Sequence, residues 1–253
     1  MPYPAIHALR PGLTRMRRLL AGLLAASLCS GQALAQARDP ANPTCPAQPN
    51  WSDYPSMRFT VAMENGLRVL KGEGRIDAST PTNLQAALDE YPEDGPNPIE
   101  EIWLRSPGGD ARAGTQAGFI IRQSGLFTRI PAGWTCFSAC NFMFMGGYVR
   151  EVDPGGIFMV HMFTHVGDGS ATRQQVARGG ETTVNIVGDI EQASALLASE
   201  DNDFLIRMGI SRQLLTDVMY QVRAVPSGGN RETRRCLTQS ELVQYRVKNV
   251  TEE

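Results

Sequence analysis

Lysine is almost missing from this 253-residue chain: Lys71 and Lys248 are its only two. Any chemistry that needs a lysine as base must draw on one of them. Histidine is nearly as sparse, at His7, His161 and His165. A zinc site would want more imidazoles and a cysteine spacing other than that of Cys136 and Cys140. Neither a metal nor a cofactor is expected. No apolar run reaches the ~20 residues that a membrane-spanning helix needs. No internal repeat is present.

A basic excess is lacking as well. The chain has 24 basic and 26 acidic residues. Residues 1–35 hold four of the basic ones (Arg10, Arg15, Arg17, Arg18) and no acid, so the rest of the chain carries a net charge near −6. Nucleic acid is therefore not an expected partner, since its phosphates call for a basic patch.

What is present begins with a targeting pattern. Arg17 and Arg18 precede a short apolar run from Leu19 to Leu28. Ala33-Leu34-Ala35 and Ala35-Gln36-Ala37 follow, both small-x-small. This is the order of a secretory signal peptide, assigned to residues 1–37, and it predicts a periplasmic or secreted protein. Residues 38–55, rich in Pro, Asn and Asp, read as an extended leader or linker. Residues 56–253 are long enough for one α/β domain with its own core. Cys45, Cys136, Cys140 and Cys236 remain after cleavage. In an oxidising compartment they predict one or two disulfides, with at least one of Cys136 and Cys140 bonded; three pairings are open.

Periodicity supplies the elements. Residues 57–63 and 67–76 alternate about Asn65-Gly66, a hairpin signal. Thr80-Pro81 opens a helix through Leu88. Residues 99–104 form a strand that runs into Ser106-Pro107-Gly108-Gly109. A helix follows from about Ala113 to Ser124, stopped by Gly125. A strand lies near 126–130. The apolar run 139–145 fits helix and strand spacing alike. Residues 156–161 are a strand, Thr182 to Met208 a long helix, and Ser211 to Met219 a shorter one. Strands alternating with helices predict a layered α/β fold with largely parallel sheets and flanking helices.

Three places carry possible chemistry. The glycines after Ser106 let a ligand approach the backbone closely, though a tight β–α turn would use them too. Ser138, between Phe137 and Ala139, could offer a hydroxyl beside the Ala139 N–H, or could simply cap a helix. His161 ends a strand, where an imidazole can reach a nearby hydroxyl as general base, or can hydrogen-bond the backbone. Each place alone fits the structural role better.

Together, in this order, they resemble the Clp protease proteolytic subunit and its crotonase-fold relatives. The matching pieces are Ser106-Pro107-Gly108-Gly109, Phe137-Ser138-Ala139 and Met159-Val160-His161-Met162, and the likeness runs from about Leu67 to Tyr245. It implies Ser138 as nucleophile and His161 as base. It also implies Gly109 and Ala139 as backbone oxyanion donors, a peptide or unfolded protein as substrate, and a homo-oligomer. The family's aspartate before the last helix is not matched: the stretch from Arg231 to Cys236 carries Arg234 there. Asp217 is the first substitute, ahead of Glu232, Asp189 and Asp203. A Ser/Lys pair is disfavoured by where Lys71 and Lys248 fall. An inactive binding module of the same fold, and a crotonase-type acyl transfer or isomerisation, are the other readings. Export away from coenzyme A weighs against the last.

Overall fold

The computed structural model describes residues 38–39, 42–162, 169–224 and 233–250. The expected signal segment lies outside the described residues, as do His165 and Glu232. Residues 36–253 form one compact unit.

The main sheet begins with an antiparallel hairpin, β3 (Arg58–Glu64) and β4 (Leu67–Glu73). Asn65 and Gly66 turn it with φ of 53° and 86°, the two positive values that a type I′ turn needs. From β4 the sheet runs parallel through β5 (Glu101–Arg105), β6 (Phe127–Ile130) and β8 (Arg150–Val152). The strand order is β3-β4-β5-β6-β8. A second, three-stranded sheet pairs β7 (Thr135–Phe137) parallel with β9 (Ile157–His161). Its other edge is β10 (Arg234–Cys236), antiparallel to β9. The expected class is the observed one: mixed α/β, mainly parallel, with flanking helices.

The helices are α1 (Thr80–Glu90), α2 (Ala111–Ser124), α3 (Ala139–Met145), α4 (Gly169–Val176), α5 (Gly180–Met208) and α6 (Gln239–Gln244). Asp110 caps α2 by accepting from the Ala113 N–H at 2.9 Å, and Gly125 ends it at φ 68°. Thr238 and Glu241 form a reciprocal capping box at α6. The ambiguous run 139–145 is helical. Six of its seven residues are buried, so no polar stripe marked its period. Helices α2 and α3 pack backbone to backbone: a Cβ on Gly118 would lie 2.4 Å from the Phe142 carbonyl oxygen.

Some elements differ from expectation. Strands β7 and β8 are three residues each, too short for alternation to show. Helix α4 was not expected. The helix expected over 211–219 is a wide π turn at Leu214–Val218 followed by a 3₁₀ turn at Met219–Gln221. The segment expected to be a leader is fastened down. Strand β2 (Asn42–Pro46) pairs with β1 (Arg38–Asp39), and Cys45 is bonded to Cys236 in β10. Further on, the Asn50 carbonyl takes the Thr135 N–H at 2.9 Å.

Candidate active site

The Ser106-Pro107-Gly108-Gly109 loop leaves β5 and is held on two sides. The Ser106 N–H donates to Thr135, and the Phe137 N–H donates to Ser106, so the loop starts as a partner of β7. On the other side, the Ile76 N–H donates to the Gly108 carbonyl and the Asp110 N–H to the Ile76 carbonyl. In such a parallel bridge the groups flanking Gly109 are used, and the N–H of Gly109 faces the opposite way. Gly109 has φ 148°, and a Cβ there would sit 2.0 Å from the Ile76 carbonyl oxygen. Only glycine fits.

Ser138 joins β7 to α3. Its backbone is at φ 59°, ψ −123°, a strained strand-to-helix turn that thrusts a side chain outward. The neighbouring cysteines are joined across this turn, Cys136 to Cys140, with a Cα separation of 5.4 Å. Both are fully buried. Ser138 stands at the N-cap position, yet its hydroxyl makes no cap hydrogen bond. It instead meets Nε2 of His161 at 2.7 Å. The Ala139 N–H, one residue on, opens the helix. Among the described residues no hydrogen bond takes up the N–H of Gly109 or of Ala139.

His161 is the last residue of β9. Its ring packs on Phe137 at 4.8 Å between centroids, and Phe137 stacks on Trp51 of the leader. Burial pushes the imidazole below its ordinary 6.5, while a hydrogen bond with the Met162 backbone pulls it up. Only a carbonyl acceptor favours the charged ring, and Nε2 is facing Ser138. The Met162 carbonyl therefore lies toward the Nδ1 edge.

The carboxylate ranked first in the sequence is not at the ring. Asp217 is exposed, and its carboxylate accepts from the Thr216 hydroxyl at 2.9 Å. Leu214, Leu215 and Val218 turn inward in that wide turn, which leaves Asp217 outside. Asp189 is exposed too, and Asp203 pairs with Arg207 at 2.9 Å. Arg234 lies opposite His161 in the β9–β10 register, where the resemblance would have an aspartate. Neither lysine reaches Ser138: Lys71 pairs with Glu64, and Lys248 with Glu151 at 2.7 Å.

Ser138, His161, Gly109 and Ala139 line one cavity of about 270 Å³. Its other walls are mostly apolar, and two polar residues, Asn141 and Asp201, share them. Sequence reasoning missed both. Asn141 sits one helical turn after the serine, a spacing that could have drawn attention. Asp201 lies sixty positions away inside a long helix and carried no signal.

No protein-family model and no curated protein matches the chain in sequence. Among solved structures it is similar to a variant of a membrane-bound stomatin-specific protease, at 15% identity over 80% of each chain and a TM-score of 0.44. It is also similar to a ClpP1 variant from Listeria monocytogenes, at 16% identity over 71% of this chain and 88% of that one, TM-score 0.46. A methylmalonyl CoA decarboxylase is similar over 42% of this chain and 49% of its own, at 14% identity and TM-score 0.31. The chemistry below stands on the atoms of this chain.

Proposed function

We propose that this protein is an exported serine peptidase that cleaves short or unfolded peptides through an acyl-enzyme. The single observation that carries the reading is the 2.7 Å contact between Ser138 Oγ and His161 Nε2. A helix-capping serine would have no reason to make it. His161, kept neutral by burial, takes the hydroxyl proton as Oγ attacks the scissile carbonyl. The N–H groups of Gly109 and Ala139 receive the oxyanion, a donor of this kind being worth ~3 kcal/mol. His161 then gives its proton to the leaving amine. Water, deprotonated by the same ring, attacks the acyl carbon; the bond from that carbon to Oγ breaks, and the ring returns the proton to Oγ.

With no carboxylate at Nδ1 among the described residues, the Met162 carbonyl orients the ring. A neutral acceptor fixes the tautomer and stabilises the imidazolium less than an anion would. A slow enzyme is therefore expected. That weakness is also what a binding module of the same fold would display, so turnover decides between them. Incubation with an unfolded, quenched-fluorescent protein substrate should give hydrolysis that Ser138→Ala abolishes. Hydrolysis unchanged in Ser138→Ala, or none at all, would refute the peptidase.

Export rests on the N-terminal pattern and is supported by the two disulfides, Cys45–Cys236 and Cys136–Cys140. We assign residues 1–37 as the removed signal, 38–55 as the leader and 56–253 as the peptidase domain. Among the described residues no helix is long and apolar enough to cross a membrane. Homo-oligomerisation, which the resemblance implies, is part of the same proposal. N-terminal sequencing of exported protein should begin at Gln36 or Arg38.

A further inference from the structure

The cavity beside Ser138 holds an unbalanced set of polar groups. Its walls include Phe142, Met145, Phe158, Val160, Leu205 and Leu214. Into this apolar lining come Asp201, on α5, and Asn141, on α3. Asp201 is 7% exposed and Asn141 4%. Nδ2 of Asn141 donates to the Met159 carbonyl at 2.7 Å, which fixes the amide's orientation. Its Oδ1 is buried, with no hydrogen-bond partner among the described residues. Nor does any hydrogen bond or cation meet Asp201 among them. Burial and the neighbouring Glu200 push its carboxyl up to about 7.

Asp201 also borders an adjoining surface cleft, and the Tyr220 phenol lies near enough to feel its charge, but neither supplies it with a hydrogen bond among the described residues. Arg112 and Arg207 line the adjoining surface cleft and not this cavity, and Arg207 is paired with Asp203. Both lysines are in other ion pairs. The unmet Oδ1 of Asn141 is costly in an apolar chamber, and the largely buried carboxyl of Asp201 beside it adds to that cost. The cost falls when an occupant brings the donors. An apolar side chain would leave both acceptors unmet, and an acidic one would be repelled. The volume lies just under the ~300–1,000 Å³ of drug-sized ligand sites, which suits a single long side chain. A basic side chain matches each feature: methylenes for the walls, and three or five N–H donors at the tip.

We infer that this chamber is the specificity pocket for a lysine or arginine side chain at the residue whose carbonyl Ser138 attacks, with Asp201 and Asn141 Oδ1 receiving the cationic head. The inference rests on the peptidase reading and names its substrate class.

The test has two independent arms on the full chain. In the first, calorimetry measures n-butylguanidine, an arginine side-chain mimic, which needs no turnover to bind. Saturable binding that Asp201→Asn weakens at least tenfold is expected. In the second, peptides differing only in arginine or leucine before the scissile bond are compared. At least tenfold higher kcat/KM for arginine is expected, with the ratio falling toward one in Asp201→Asn. Should that variant fail to fold, the wild-type ratio and guanidine binding decide alone. Equal cleavage of the two peptides, or no guanidine binding, overturns the pocket assignment. Guanidine binding without any hydrolysis supports the pocket as a cation site and instead overturns the peptidase.

Discussion

Ser138 spends its hydroxyl on an imidazole and leaves its own helix uncapped. That choice separates a nucleophile from the commoner capping serine; the serine's own neighbours could not decide it, since both roles ask for the same small residue before an apolar run, and only the wider resemblance implied it. His161 was legible as a strand-ending histidine. The third member was not, because a carbonyl acceptor belongs to every residue and leaves no trace in side-chain type. Two predictions belong at this scale. First, His161→Ala should lower kcat/KM by about 10²–10⁴-fold, while Asp217→Asn should change it less than twofold. Steady-state kinetics on one peptide checks both, and a large loss in Asp217→Asn would restore it to the site. Second, the base works only when neutral, and burial depresses its pKa. Activity should rise with pH through an inflection below 6.5 and stay level above it. An inflection above 7 would mean that an anion contacts the ring.

The turn between β7 and α3 is the element on which the site depends. The Cys136–Cys140 bond spans it, and the backbone at its centre is strained. Removing the bond in a Cys136→Ala/Cys140→Ala double variant should loosen the turn more than it unfolds the protein. A reaction rate lower by roughly 10- to 100-fold, with a native circular dichroism spectrum, is expected. An unchanged rate would show that the flanking sheet alone holds Ser138. Helix α3 is pinned from the other side by α2. Gly118→Ala places a methyl against the Phe142 carbonyl and should cost about 1–3 kcal/mol, read as a lower urea midpoint. The hairpin at Asn65-Gly66, α2 with its Gly125 stop, and the long α5 were all readable because turn residues and a 3.6 period mark them. Strands β7 and β8 were not: three residues cannot display a period of two.

For the molecule as a whole, two ties join distant parts of the chain. Cys45–Cys236 links residues 191 positions apart and binds the leader to β10. By loop-closure entropy it should contribute about 3–5 kcal/mol, so Cys45→Ala/Cys236→Ala should unfold at clearly lower urea. Arg150, 3% exposed, reaches the carbonyls of Gly147, Arg246 and Val247 and so anchors the C-terminal segment to β8. The layered α/β class was legible from the alternation of elements, and the even cysteine count foretold oxidation without saying which partners would meet. The leader's docking was not legible, since Pro and Asn mark extended chain equally well whether it is free or bound. The central claim is that Ser138 and His161 act as one unit, and intact-mass analysis after treatment with a fluorophosphonate tests it most directly. One adduct per chain, mapped to Ser138, absent in Ser138→Ala and strongly slowed in His161→Ala, is the predicted result. A folded protein that stays unmodified, or one modified equally in Ser138→Ala, would contradict it.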